Sequence, residues 1–160
     1  EFYCGTCPGC MAQGPAMVDR FLDTFPHNST APSVSFLQFD AVDDCGHSFG
    51  VDGYQYQEIS LADAQLQKVY NRLEALGLWD RTVMIVLSDH GREECAGRDH
   101  GGFSDAEVNT QWLAVGAGIR HGQTLAHSLV SIEDTAPTVL WALNLTWPMQ
   151  WRGRPVWEAF

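Results

Sequence analysis

The chain has 160 residues, 45% hydrophobic and 11% aromatic, which is enough apolar side chain for one ordinary globular domain or part of one, and nothing in it points to disorder. Its 20 acidic residues against 9 basic give a net charge of −11, which argues against a surface built for nucleic acid polymers or anionic lipid, since both need clustered Lys and Arg. No apolar run approaches the roughly 20 residues that cross a bilayer, and no basic-then-apolar signal segment opens the chain.

Residues 1–33 read as a Cys-rich segment followed by a short helix. CGTCPGC spaces Cys4, Cys7 and Cys10 as CxxCxxC, open to two readings: a metal or cluster knot needing a fourth ligand, or disulfides in an oxidising compartment with Cys45 and Cys95 as further partners. Pro15 to Phe25 carries Met17, Val18, Phe21, Leu22 and Phe25 at helical spacing; Pro15 suits a first turn and Pro26 forbids continuation. HNSTAPS, 27–33, is expected to be a loop.

Val34 to Phe39 is a short apolar run between turn residues, the pattern of a strand buried on both faces, and Asp40 to Gly53 is expected to leave it as a loop. Ser60 with Asp63 resembles a capping box, followed by the helical stripe Ala62, Leu66, Val69, Leu73 and Leu76 and by Gly77 as terminator. TVMIVL, 82–87, repeats the buried-strand pattern. Strand, loop, helix and strand in that order predict a right-handed βαβ unit with parallel strands. Trp112 to Val115 reads as a third strand, GAGIRHGQ as a loop, and Asp134 to Leu143 as a helix with Pro137 in its first turn. The tail WRGRPVWEAF is expected to return onto the surface. The fold class is α/β: three layers, α/β/α, around a mostly parallel sheet.

The chemistry gathers in two stretches, VDDCGHSFG at 42–50 and SDHGREECAGRDHGG at 88–102. Asp43 and His47 lie four apart after the first expected strand, Asp89 and His90 follow the second, and His100 comes ten residues later. These oxygen and nitrogen donors suit zinc, and both groups fall at the carboxyl ends of strands, where open α/β sheets bind ligands. His27, His121 and His127 read as surface or hydrogen-bonded loop residues, and Asp40, Asp44 and Asp99 as turn or helix-start residues. Two glycosylation sequons, at Asn28 and Asn144, lean with the cysteines toward a secreted or lumenal setting; Asn144 is equally suited to end a helix in the left-handed conformation.

VDDCGHSFG resembles the DxxGHxxG segment, and SDHG the matching segment, of the alkaline phosphatase superfamily, nearest its type I phosphodiesterase and nucleotide pyrophosphatase branch. The resemblance runs from about Val34 to the C-terminus and takes in HGGFSDAE, AVGAGI, DTAPTVL and GRPVWEAF. It implies that 34–160 is the C-terminal part of an alkaline-phosphatase-like catalytic domain, a metal-dependent hydrolase of small anionic phosphate esters. It also implies two divalent ions, zinc by donor type: Asp43, His47 and His100 on one, Asp89 and His90 on the other, with Arg92 and Arg98 as contacts for the anion. The family's nucleophile is a Ser or Thr near a further Asp ligand in the N-terminal half, and nothing between Glu1 and Ser33 resembles that segment. The expectation is therefore the C-terminal piece of a larger hydrolase, inactive by itself. Two rivals remain: a sulfatase of the same superfamily, whose modified Cys sits in a CxPxR context that none of the five cysteines has, and a non-catalytic metal-stabilised domain.

Overall fold

The structure is a computed structural model that describes residues 15–25, 31–51, 53–94, 97–126 and 128–160. The expectations for Cys4, Cys7, Cys10, His27, Asn28, Cys95 and His127 lie outside the described residues. The chain divides into two compact units, one of residues 1–78 with 90–109, the other of 79–89 with 110–160.

The first unit is helical. Helix α1, Pro15–Thr24, forms where its apolar spacing predicts, with Val18 fully buried and Phe21 and Phe25 in ring contact at 5.0 Å. Residues 34–39 enter no helix or ladder among the described residues, and Val34 and Phe36 are 53% and 81% exposed, so the expected doubly buried strand is not formed. Such a strand needs a hydrogen-bonded neighbour and a layer on each face, and the described residues supply neither.

The expected loop after it is a second correction. Ala41–Phe49 is helix α2, with Asp43 and Asp44 in its first turn, charges that match the helix dipole, and His47 in its last. Ala41 and Cys45, four apart, bury one stripe, and Phe49 and Tyr54 pack on Cys45. This burial outweighs the turn preference of DDCG. Helix α3, Gly53–Ala75, begins seven residues before Ser60. Ser60 is therefore mid-helix, its hydroxyl donating to Tyr56 O at 2.9 Å, and no capping box forms there. Gln55, buried in the unanticipated first turns, donates to Val42 O at 3.3 Å and ties α3 to α2. Val69 and Leu73 are buried as expected. Gly77, at φ 63°, closes the helix: Leu78 N–H donates to Leu73 O and Gly77 N–H to Glu74 O, both at 2.9 Å, the paired bonds of a Schellman motif. Helix α4, Asp105–Val108, is a single turn later in this unit.

The second unit holds strands β1, Val83–Leu87, and β2, Trp112–Gly116. They pair antiparallel, from Val83 opposite Gly116 to Leu87 opposite Trp112. The described residues thus make a mixed α/β fold with a two-stranded antiparallel sheet in place of the expected parallel pair. On β2 the side chains alternate, Leu113 and Val115 outward, Trp112 and Ala114 against a cluster of Ile119, Val156 and Ala159. Helix α5, Thr135–Ala142, has Pro137 buried in its first turn, as expected. Asn144, at φ 57°, ends it with Leu145 N–H on Leu140 O and its own N–H on Trp141 O, both 2.9 Å. The tail enters the core instead of skirting it. Val156 is fully buried, and its N–H donates to Thr138 Oγ1 at 2.9 Å.

Candidate metal centre

Because α2 is a helix, Asp43 and His47 stand one turn apart on the same face. Asp43 Oδ2 lies 3.3 Å from His47 Nε2 and Asp43 Oδ1 3.6 Å from His100 Nε2. The Nε2 atoms of His47 and His100 are 3.1 Å apart. Both oxygens of the Asp43 carboxylate thus face an imidazole, Oδ2 toward His47 and Oδ1 toward His100, while the two ring nitrogens face each other. Two imidazole nitrogens and a carboxylate are donors of the type zinc takes, and separations of 3.1 to 3.6 Å are close to the roughly 3.3 Å between donors of a tetrahedral ion with bonds of about 2.0–2.1 Å.

His90 completes the cluster. Its ring stacks on His100 with centroids 3.6 Å apart and an 18° tilt, and its Nε2 is 3.9 Å from Asp43 Oδ1. Asp43, His90 and His100 also offer donor atoms that lie within 4.8 Å of one another. His90 Nδ1 faces Gly91 O at 2.9 Å; donation there holds the ring through Nδ1 and leaves Nε2 on the Asp43 side, the usual arrangement of a ligating imidazole. Asp89, the fifth expected ligand, is exposed two residues beyond β1 and belongs to the second unit, whereas the four gathered side chains all belong to the first.

The arginines take different places. Arg92 is buried, its side chain only 6% exposed, and its guanidinium grips the Asp43 carboxylate and main-chain carbonyl while Nη1 donates to Arg98 O at 3.1 Å. Arg92 therefore braces a ligand from inside. Arg98 is exposed. Asp44 shares the first turn of α2, and its carboxyl is pushed above the usual range, first by burial and then by repulsion from Asp43 and Asp40.

Sequence reading missed Glu107. Its carboxylate accepts from Gly102 N–H at 2.7 Å, Ser104 N–H at 3.2 Å and the Ser104 hydroxyl at 2.7 Å, and these bonds hold it below the usual carboxylate range, the Ser104 hydroxyl most strongly. The signal was available: Ser104-Asp105-Ala106-Glu107 is a capping-box pattern.

A region of 73 residues is 32% identical to bis(5'-adenosyl)-triphosphatase ENPP4 of Bos taurus, covering 43% of this chain and 16% of that protein. The Homo sapiens protein of the same name is 30% identical over 73 residues, with the same coverage. The chain thus spans 16% of the length of these relatives. No solved structure matches it. The type I phosphodiesterase / nucleotide pyrophosphatase family profile, in contrast, matches residues 14–158, nearly the whole chain, and the chain belongs to that family, a branch of the alkaline phosphatase superfamily.

Proposed function

We propose that this chain is the metal-binding C-terminal part of a hydrolase of phosphate esters, of phosphodiesterase or nucleotide pyrophosphatase type. Asp43, His47 and His100 hold one zinc ion, and His90 with Asp89 serves a second. The observation that carries this reading is the approach of the His47 and His100 ring nitrogens to each other and to the two oxygens of the Asp43 carboxylate. The three-layer core with a mostly parallel sheet belongs to the same proposal and is supported by the match to the family profile.

Bound there, divalent ions supply a positive field that offsets the charge on a phosphoryl oxygen during in-line displacement. The protein's own part is to prepare the ligands. Arg92 occupies one side of the Asp43 carboxylate and turns Oδ2 toward His47. His90 is held through Nδ1 by the Gly91 carbonyl. Arg98, exposed on the same loop, is the side chain available to an anion. With a net charge of −11 the chain repels anions at long range, so local cations are needed for an anionic substrate to dwell. The nucleophile is proposed to come from elsewhere in the full protein. By analogy with the bis(5'-adenosyl)-triphosphatases it matches, the substrate class is a nucleotide with a phosphodiester or phosphoanhydride link. A secreted or lumenal site of action is part of this reading, supported by the exposed sequon at Asn144.

The sulfatase alternative is disfavoured by the donors. Three imidazoles suit a borderline-soft ion, whereas calcium takes oxygen ligands. Calorimetric titration of zinc and calcium into chelator-stripped protein tests the proposal. Zinc should bind, calcium should not, and His100→Ala should weaken zinc by at least about 100-fold. Calcium binding without zinc binding, or zinc binding indifferent to His100, would overturn it.

A further inference from the structure

The loops that carry His90 and His100 are governed by one residue outside the ligand set. Glu107 is buried on α4. Its Oε1 accepts the Gly102 N–H, two residues past His100, and its Oε2 accepts the Ser104 N–H and hydroxyl. The contact is close enough that a Cβ on Gly102 would fall 2.6 Å from Glu107 Oε2. The main chain of the same helix turn reaches the other loop: Gly91 N–H, next to His90, donates to Glu107 O at 2.7 Å, and Arg92 N–H donates to Ala106 O at 3.2 Å. One helical turn thus holds the backbone after His90 with its carbonyls and the backbone after His100 with its carboxylate.

We infer that Glu107 is the positioning residue of this centre: it sets the spacing and ring stacking of His90 and His100 by fastening both loops to α4, without touching a ligand itself. The inference rests on reading the cluster as a metal centre. A carboxylate presents two acceptors to the Gly102 and Ser104 donors, whereas a carboxamide presents one acceptor and an NH2 that opposes an N–H. Glu107→Gln therefore keeps the volume and forces the His100 loop away from its present path.

The test combines a chelator-competition measurement of zinc affinity with proton NMR of the histidine rings in the metal-free chain. Asp134 is the comparator, a buried capping carboxylate in the other unit that accepts from Ser131 N–H at 2.9 Å and Arg154 N–H at 2.8 Å. Glu107→Gln should shift the ring resonances of His90 and His100, leave those of His121, and weaken zinc by about 10- to 100-fold, the usual effect of losing an outer-shell partner. Asp134→Asn should lower stability while leaving zinc affinity and both rings unmoved. Should Glu107→Gln not fold, Ser104→Ala, which removes one of the bonds to the carboxylate, should move the same rings in the same direction by less. Unmoved His90 and His100 resonances, or an equal loss of zinc in Asp134→Asn, overturn the inference. A chain that takes up no zinc, yet whose two rings shift in Glu107→Gln, would retain Glu107 as the positioning residue and defeat the metal reading instead.

Discussion

Arg92 lies across helix α2 in the gap that Gly46 leaves, and a methyl group at Gly46 would overlap its guanidinium. The glycine is thus a seat for the arginine that braces Asp43. Two effects of Gly46→Ala compete. In a helix interior Ala is favoured by about 1 kcal/mol, but overpacking a filled site costs about 1–3 kcal/mol and here also displaces a buried charge. Urea denaturation of the metal-free protein should show net destabilisation, and a more stable Gly46→Ala would remove the seat from consideration.

Arg92→Met retains the length of the side chain and loses its donors to Asp43 and Arg98. Hydrogen bonds to a charged group contribute about 1.5–3 kcal/mol, and the part-exposed carboxylate places the loss toward the lower end. A denaturation midpoint within error of the wild type would show that the pairing with Asp43 contributes nothing.

Removal of His47 should weaken zinc far more than removal of the exposed His121, because His47 faces Asp43 and His100. The expected loss for His47→Ala is at least about tenfold, while His121→Ala should match the wild type. Equal affinities would detach His47 from the ion.

The pH dependence of stability follows from the shifted carboxyls. Glu158 lies below the usual range chiefly because Arg154 hydrogen-bonds it, and Glu107 does so through Ser104. A lowered folded value means stabilisation that is present above the unfolded glutamate value and lost as pH falls through the folded one. Asp44 has the opposite sign: its raised value gives a contribution present in acid and lost as pH rises. Denaturation midpoints between about pH 3 and 7 should fall less steeply toward acid in Glu158→Gln than in the wild type, and Asp44→Asn should gain stability at neutral pH. Identical slopes for Glu158→Gln and wild type would contradict this.

Asn144 carries the positive φ that ends α5. Asn144→Ala should cost about 1–2 kcal/mol, the penalty for a side chain with a Cβ in the left-handed region, and Asn144→Gly should be close to neutral. Thermal melts distinguish the two, and equal loss in both would point to the side chain in place of the backbone.

Part of this protein is written locally. The apolar spacing of α1, the stripe of α3 with Gly77 after it, and Pro137 and Asn144 at the two ends of α5 are relations among residues a few positions apart, where sequence and geometry share one period. The gathering of Asp and His in two Gly-rich stretches needs no fold to be read as a candidate metal site.

Other features needed distant residues. Whether 41–49 is loop or helix turns on burying Ala41 and Cys45, and whether β1 pairs parallel or antiparallel turns on which strand reaches it, since a strand's hydrogen bonds lie outside itself. Arg92 reads from sequence as a solvent-facing anion contact. Its partner Asp43 is 49 residues away and Gly46 makes its room, so only the folded chain could turn it inward. Glu107 is the same case: its pattern announces a helix start, but that the turn also fastens the loops of His90 and His100 is a fact of three-dimensional packing.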